Sequence, residues 1–494
     1  MVPQDAQPAM LQASVAPDPR EALAAWYLRR RHRAVWLLPL TAALAGFVVL
    51  VLLRGTAEDP QANYLASRAA LLALAPPEVP TAENAADDYA LAVKTMVPYA
   101  AKTGRASFDE DPYRNQSVDS KHLEDTVVQS YISSNAAAIQ LLYAGAAKTR
   151  CNWGVDYSLG YACPSYDSEQ YGSARLLAIH ARVSAHAGDH QTAATSCAAI
   201  YKLAQHVGTT PLLYCCAGTL DHAGSADHAM QGIVTWDTPA TLSDLAAYRK
   251  ALWRPRDPEA LVTRCLAGEK AFGLYTLDAV AAGVMPAPGP TGGYLNRMAR
   301  GKSGSLLYGS ERQCLAAVID DIAASVSRGI WLTREQTAEL VSNHQKGPAT
   351  LALLAASAYG NHIQEFARCE ERARVIDAGL AFLQFRVKHG RDPQSLEALV
   401  PDFLPAVPRG VFHSAPLRMR VDDKGVACQD PATGNQFWRD PGTIRIYALG
   451  PNGRDDSGYS AQDEYGVPGR LWDDTVFCVP PMKRSGSASG GKAP

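Results

Sequence analysis

Residues 34–53 read AVWLLPLTAALAGFVVLVLL, a run of twenty residues that carries no charged side chain. A helix rises about 1.5 Å per residue, so this run spans roughly the 30 Å hydrocarbon layer of a bilayer. Four arginines lie between residues 29 and 33, and positive charge at one end of an apolar helix directs that end towards the cytoplasm. The stretch therefore predicts a transmembrane helix over 34–53, behind a disordered cytoplasmic tail over 1–33.

A cleaved signal peptide is the alternative interpretation of the same run. The run is longer than a usual signal-peptide core, it begins behind a long tail, and residues 52–54 (Leu-Leu-Arg) stand where a small-x-small cleavage site is needed. These features favour an uncleaved anchor. The bulk of the chain is then periplasmic, on a single-pass protein of the bacterial inner membrane.

Composition indicates that most of the chain folds. The 494 residues suffice for roughly two or three domains, 47% of them are hydrophobic, and the formal net charge is −2. This charge gives no bulk basic character with which to bind nucleic acid. All ten cysteines follow the apolar run and none forms a CxxC pair, which favours disulfides in an oxidising compartment over a structural zinc site.

Residues 54–365 are predicted to form an extracytoplasmic α-helical domain, because apolar residues recur at helical spacing between proline and glycine stops. Its clearest part is a helical hairpin over 173–208 with Gly188 at the turn, which is similar to a single tetratricopeptide-type hairpin. Three histidines of this hairpin (His180, His186 and His190) lack the Glu of an HExxH site, and surface or capping roles are favoured over metal binding.

Residues 366–479 change character. A last amphipathic helix ends at Gly390, and short segments of strand-like alternation follow, joined by Gly, Asp and Asn turns. A helix laid on a small antiparallel sheet buries both apolar faces, so the segment predicts an α+β domain, with a disordered tail over 480–494. The fold class expected for the whole chain is α+β, with a mostly α-helical middle.

The C-terminal segment resembles a known family. LAFLQFRVKHGRDPQSLEALVPDFLPAVP (380–408), PLRMR (416–420) and IYALGPNGRDDSG (446–458) are similar to the globular part of the major, G-like pseudopilins of type II secretion. The resemblance implies a calcium ion bound by the loop before the final strand. Carried over by position, its ligands are the loop carboxylates Asp455, Asp456, Asp473 and Asp474. The alternative is a solvated acidic turn capped by its own side chains.

The chain as a whole resembles bacterial membrane proteins with one N-terminal anchor, an E-N-A-A-x-x-Y helix (Glu83 to Tyr89), a helical middle and this pseudopilin-like end. In a pseudopilin the membrane helix runs directly into the globular domain, whereas some 300 residues intervene here. The resemblance implies no catalytic activity.

Two disulfides are expected. Cys428 and Cys478 lie on predicted strands of the same small sheet and form the first choice. Cys151 and Cys163 bracket an aromatic, glycine-containing loop and form the second.

No GxSxG, HExxH, Walker or strand-associated GxGxxG motif is present, so the sequence predicts a protein that is not an enzyme. We expect an interaction or scaffold protein of the envelope, with protein partners, associated with machinery of the type II secretion kind. The alternative is an envelope hydrolase with a dispersed site in the helical domain. A buried cluster of titratable residues there would favour the hydrolase, and an apolar groove would favour the binding protein.

Overall fold

The structure is a computed structural model that describes residues 59–97, 126–162, 167–234, 240–253, 258–284, 302–332, 334–344, 351–429, 436–459 and 474–482. The predicted transmembrane helix over 34–53 and the tail over 1–33 lie outside these ranges, as does the C-terminal tail beyond residue 482. Within the described ranges, no helix combines the length and the apolar character that a membrane span requires.

Most described residues are helical. The α-helices in chain order are α1 (Pro60–Leu72), α2 (Ala85–Thr95), α3 (Thr126–Ser134), α4 (Ala136–Ala147), α5 (Asp167–His186), α6 (His190–Val207), α7 (Leu213–Val234), α8 (Leu242–Ala251), α9 (Pro258–Ala281), α10 (Lys302–Val326), α11 (Arg334–His344) and α12 (Leu351–His389). Short 3₁₀ helices cover Thr81–Glu83, Tyr157–Ala162 and Leu396–Leu399. A mostly helical chain with a small antiparallel sheet confirms the coarse fold class.

The expected helical hairpin is present as α5 and α6. Gly188 forms the turn with a φ of +84°, a conformation that glycine adopts without a steric penalty. The Asp189 side chain then caps α6 by accepting a hydrogen bond of 3.0 Å from the Thr192 amide. Ala181 and Ala193 are fully buried, and side chains this small let the two helices approach closely.

Helix α12 is continuous for 39 residues, about 58 Å. Glycine within a helix favours a break, but α12 runs without interruption through Gly360, which is buried. The predicted domain boundary at 365/366 also falls within this one helix. α12 packs on α7, α8 and α11 along its length and on the sheet towards its C-terminal end.

The strands are β1 (Arg418–Val421), β2 (Val426–Gln429), β3 (Gln436–Arg439), β4 (Ile444–Ala448) and β5 (Thr475–Val479). One antiparallel sheet has the order β1-β4-β5, and β2 and β3 pair with each other as a separate two-stranded sheet. The sequence-based expectation that Cys428 and Cys478 share a sheet is therefore wrong, because Cys428 lies on β2 and Cys478 on β5.

The three-stranded sheet is seated on α12 at a glycine. A Cβ on Gly379 would lie 2.3 Å from the Phe477 ring, so the absence of a side chain there lets β5 contact the helix backbone. Two polar contacts hold the ends of β5 on the same helix. The Thr475 hydroxyl donates to Glu371 at 2.8 Å, and Arg386 donates to the Pro480 carbonyl at 2.8 Å. One apolar core consequently runs from α2 to β5.

Candidate functional site

The predicted calcium loop follows β4. We define the acidic loop as residues 450–459 together with Asp474 at the start of β5. Gly453 and Gly458 have positive φ angles, and the Asn452 side chain accepts a hydrogen bond of 2.8 Å from the Arg454 amide. These turn-forming features follow from the sequence PNGRDDSG, since Gly and Asn favour such conformations.

Asp474 closes the acidic loop from inside. Its carboxylate accepts hydrogen bonds from the Gly450 amide at 3.4 Å and the Gly458 amide at 2.9 Å, and the residue is 4% exposed. Burial raises the pKa of Asp474 to about 6, and the nearby charges of Asp455 and Asp456 raise it further, against the effect of the two amides. Three of the four predicted ligands, Asp455, Asp456 and Asp474, are therefore near enough for the charges of the first two to raise the pKa of the third.

Asp455 and Asp456 each have other partners. Asp455 forms an ion pair with Arg418, and it accepts hydrogen bonds from the Tyr447 hydroxyl at 3.2 Å and the Ser457 amide at 2.8 Å. Asp456 accepts a hydrogen bond of 3.0 Å from the Asn452 amide group. The loop is thus partly capped by its own side chains, as the alternative interpretation expected.

A buried cation borders the loop as well. Arg445 is fully buried, pairs with Asp422, and lies 3.8 Å from the centre of the Tyr459 ring. Its guanidinium also donates to the Ser457 carbonyl at 3.3 Å. The burial of Arg445 was not predictable, because this residue alternates with Ile444 and Ile446 along β4, and such alternation indicates a solvent-facing side chain.

The donor set of the acidic loop is of the type that calcium prefers, since carboxylate and backbone oxygens ligate this hard cation. Asp473, the fourth predicted ligand, lies outside the described residues. In the part of the chain that the structure describes, no three His, Cys, Asp or Glu side chains are arranged to hold a metal ion. Calcium binding at the acidic loop therefore stays a prediction.

Glu371 is a second buried carboxyl that the sequence analysis missed. It projects from α12, accepts hydrogen bonds from the Val411 amide at 3.0 Å and the Thr475 hydroxyl at 2.8 Å, and has no solvent exposure. Burial raises the pKa of Glu371 to about 7, despite these hydrogen bonds. Because Thr475 follows Asp474 directly, the two raised carboxyls lie at the same end of β5.

The E-N-A-A-x-x-Y motif has a structural role. The Asn84 side chain caps α2 by accepting from the Ala86 amide, and it exchanges two hydrogen bonds with the backbone of Asn152, at 2.8 and 2.9 Å. The Tyr89 hydroxyl is 2.9 Å from Nδ1 of His206. Thr81, which is also a residue type that caps helices, begins a 3₁₀ turn instead, and Asn84 is the cap of α2.

The hairpin histidines face partners in the protein interior. His190 is buried with its Nδ1 atom 3.0 Å from the Tyr248 hydroxyl, and Nδ1 of His180 is 3.0 Å from the Ser196 hydroxyl. The expectation of surface or capping roles is wrong for His190, because α8 covers it. Burial lowers the pKa of His180, and that of His206 to about 4.

His222 on α7 differs from these histidines. It is fully buried, and among the residues that the structure describes neither ring nitrogen has a hydrogen-bond partner. The Tyr171 ring packs edge-on against it at 5.0 Å, and the Tyr171 hydroxyl donates to Asp221 at 2.7 Å. Burial lowers the pKa of His222 to about 4. The Asp221-His222 pair gave no signal of this arrangement, because the burial of His222 depends on how α5 packs on α7.

Several other buried polar groups of the helical region are paired. The Tyr201 hydroxyl donates to Asp227 at 2.6 Å, and Arg372 of α12 approaches the same carboxylate at 3.4 Å. Arg249 of α8 binds Asp377 of α12 at 2.8 Å. These ion pairs attach α12 to two helices that precede it by more than 100 residues in sequence.

The disulfide that the structure shows is not one of the two expected from the sequence. Cys216 on α7 and Cys265 on α9 form a disulfide with an S–S distance of 2.10 Å. Cys151 is a buried free thiol whose pKa burial raises to about 12, and its predicted partner Cys163 lies outside the described residues. The side chain of Cys428 also lies outside them, so its bond to Cys478 stays a prediction.

Comparison with protein-family models, with curated proteins and with solved structures gives no match to this chain.

Proposed function

We propose that the chain is a non-catalytic scaffold protein of the bacterial envelope, anchored in the inner membrane by residues 34–53 with its bulk in the periplasm. It would bind protein partners of machinery of the type II secretion kind. The observation that carries this proposal is α12, which packs both on the preceding helices (the helical region) and on the β1-β4-β5 sheet (the sheet region). Its Asp377 binds Arg249 of α8, and its Glu371 binds Thr475 of β5.

A shared helix of this kind makes the two regions one body. Separating α12 from α8 or from α7 would break the Arg249–Asp377 or the Arg372–Asp227 ion pair and would expose the apolar surface packed beside it. A scaffold needs such a rigid connection between its binding surfaces. The sheet region, by its resemblance to pseudopilins, supplies one surface, and the helical region supplies another.

The chemistry of the interior supports a non-catalytic role. Burial raises the pKa of the Cys197 and Cys369 thiols to about 12, which disfavours the nucleophilic thiolate. Burial likewise raises the pKa of Tyr201, whose hydroxyl is committed to Asp227. Groups held in their neutral forms and in fixed pairs stabilise a core more readily than they catalyse a reaction.

A pull-down of the full chain from gently solubilised membranes tests the scaffold proposal. Co-purification of secretion-type inner-membrane components is the expected result. A control protein carrying residues 1–58 on an unrelated globular domain identifies contacts made by the anchor alone. Recovery of the same set with the control, or of the chain by itself, would contradict the proposal.

A topology experiment tests the anchor separately. A phosphatase reporter fused after Pro494 should be active only outside the cytoplasm, and the mature protein should retain Met1, because a long apolar run behind four arginines is not cleaved. A soluble product that starts near Gly55 would show that residues 34–53 are a signal peptide.

His222 is the observation that favours the alternative, an envelope hydrolase. An imidazole whose two nitrogens have no hydrogen-bond partner within the described part of the chain, beside the Tyr171–Asp221 hydrogen bond, is the type of group that a substrate could engage. Fluorogenic ester, amide and glycoside substrates should be tested with the full chain and with His222→Phe. Hydrolysis by the parent that the variant loses, at unchanged melting temperature, would replace the scaffold proposal.

A further inference from the structure

Helix α1 packs on α9 through one face. Leu71 is buried on this face, and Tyr64 packs against Tyr275 with ring centres 5.9 Å apart. Ser67 is buried on the same face, and its hydroxyl donates to the Tyr64 carbonyl at 3.2 Å. Apolar and polar contacts therefore both hold the inner face of α1 in the protein.

The opposite face of α1 is apolar and exposed. Leu65 is 58% exposed and Leu72 is 40% exposed, one above the other at a spacing of two helical turns. We call the exposed residues of this face the outer stripe: Ala62, Leu65, Ala66, Ala69, Leu72 and Ala73. Leu159, on the 3₁₀ helix that packs against α1, is exposed as well. A helix that is apolar on its outward side is normally covered.

The number of residues between the apolar run and α1 limits how far α1 can lie from the membrane. The six residues 54–59 separate the apolar run 34–53 from Pro60, and they span about 22 Å at most when fully extended. Helix α1 must therefore begin within that distance of the membrane-spanning segment. The helix contains no acidic residue, and the exposed Arg68 flanks Leu65 and Leu72, where its guanidinium can meet lipid phosphates.

We infer that the outer stripe of α1 lies on the periplasmic surface of the same bilayer, with its leucines at the acyl boundary. This inference rests on the anchor proposed above and adds a second, interfacial contact to it. Burial of the two leucines and of the alanine surface between them in the interface would fix the orientation of the folded body on the membrane. A single transmembrane helix joined by a short linker would leave that orientation free.

Photo-crosslinking of the full chain tests the inference. A benzophenone amino acid is placed at Leu65, and the protein is reconstituted into vesicles of phosphatidylethanolamine and phosphatidylglycerol. The matched control is the same substitution at Val421, which is 47% exposed on β1 of the sheet. Flotation of the chain with the vesicles is measured first, because it reports the anchor independently of α1.

Flotation with several times more lipid adduct from position 65 than from position 421 is the expected result. Flotation without excess lipid adduct at position 65, or with adducts there to a second copy of the chain, would overturn the inference and leave the anchor intact. Failure to float would overturn the proposed anchor and, with it, this inference.

Discussion

The helical region buries histidines whose pKa is lowered, whereas the junction of α12 with the sheet buries carboxyls whose pKa is raised. In the helical region, burial lowers the pKa of His206 and His222 to about 4. At the junction with the sheet, burial raises the pKa of Glu371 to about 7 and of Asp474 to about 6. The cause is the same in all four residues, since burial disfavours the charged form, but its sign is opposite for bases and acids.

These two pairs of residues therefore change the stability of the fold with pH in opposite directions. A histidine with a lowered pKa contributes stability that is present above its ordinary value of about 6.5 and is lost as the pH falls towards 4. A carboxyl with a raised pKa contributes stability that is present below about 4.5 and is lost as the pH rises through 6 to 7. Asp227 and Asp278 of the helical region also have raised pKa values, and each contacts an arginine.

The largest expected effect is acid destabilisation of the helical region. His206 and His222 should each remove roughly 3 kcal/mol from the free energy of unfolding between pH 6.5 and 4, because 1.36 kcal/mol accompanies each pKa unit. Chemical denaturation of the full chain across this range measures the loss. His222→Phe should remove about half of it, whereas His344→Gln at a partly exposed position of α11 should not. If His222→Phe lost as much unfolding free energy between pH 6.5 and 4 as the parent, the contrast between the two kinds of buried group would be wrong.

The next effect concerns the disulfide, which is confined to the helical region. Cys216 and Cys265 are 49 residues apart, and closing a loop of that length stabilises the folded state by about 4 kcal/mol on the chain-entropy account. Cys216→Ser with Cys265→Ser should lower the unfolding free energy by that order. Cys314→Ser, at a half-buried position of α10, is the control. Peptide mapping without reductant should recover the Cys216–Cys265 pair, and recovery of Cys428–Cys478 would extend disulfide bonding to the sheet region.

Glu371→Gln, at the junction of α12 with the sheet, should increase the free energy of unfolding at alkaline pH. The amide resembles the protonated carboxyl and keeps an acceptor for the Val411 amide, so the variant should be more stable than the parent at pH 8 by roughly 3 kcal/mol. At pH 4 the two proteins should be alike. Denaturation of both proteins at the two pH values measures this difference. Equal stability at pH 8 would mean that Glu371 is not protonated near neutrality.

Calcium binding should change the free energy of unfolding by a smaller amount. If the acidic loop binds it, the full chain should be stabilised by about 2.7 kcal/mol at a hundredfold excess over Kd, which raises the melting temperature. The gain should be larger at pH 8 than at pH 5.5, because Asp474 must be ionised to bind. Mg²⁺ should do much less, since it dehydrates reluctantly.

The matched variants for calcium are Asp473→Asn and Asp474→Asn, which keep an oxygen but lose the charge. Both should abolish the shift. Identical melting curves in calcium and in chelator would leave the acidic loop as a turn capped by its own side chains. The full chain is the appropriate sample, because a fragment that starts at residue 366 would cut α12 within its length.

Much of the helical architecture follows from the sequence. The α5–α6 hairpin was predictable because Gly188 interrupts two amphipathic segments that carry small residues on facing sides. The continuity of α12 through Gly360 was not, because a buried glycine within a helix is tolerated when neighbouring helices supply the packing. Local propensity indicates a break there, and tertiary contacts override it.

The candidate site was predictable only in part. The turn chemistry of PNGRDDSG located the acidic loop, and the inward position of Asp474 follows from its place at the start of β5. Glu371 could not be assigned, since the exposure of a carboxyl on α12 depends on how the sheet is seated. The four- and five-residue strands carry too little alternation to fix their pairing, which is why Cys428 and Cys478 were placed in one sheet.

Among the described residues, strand β5 follows every other element in chain order. Until residues 475–479 are synthesised, the surface of α12 at Gly379 has no Phe477 ring against it, and Glu371 lacks its threonine partner. A chain truncated before Thr475 would present an apolar surface and a buried-type carboxyl to chaperones and proteases. The seat for β5 on α12 thereby makes the synthesis of residues 475–479 a condition for covering this surface.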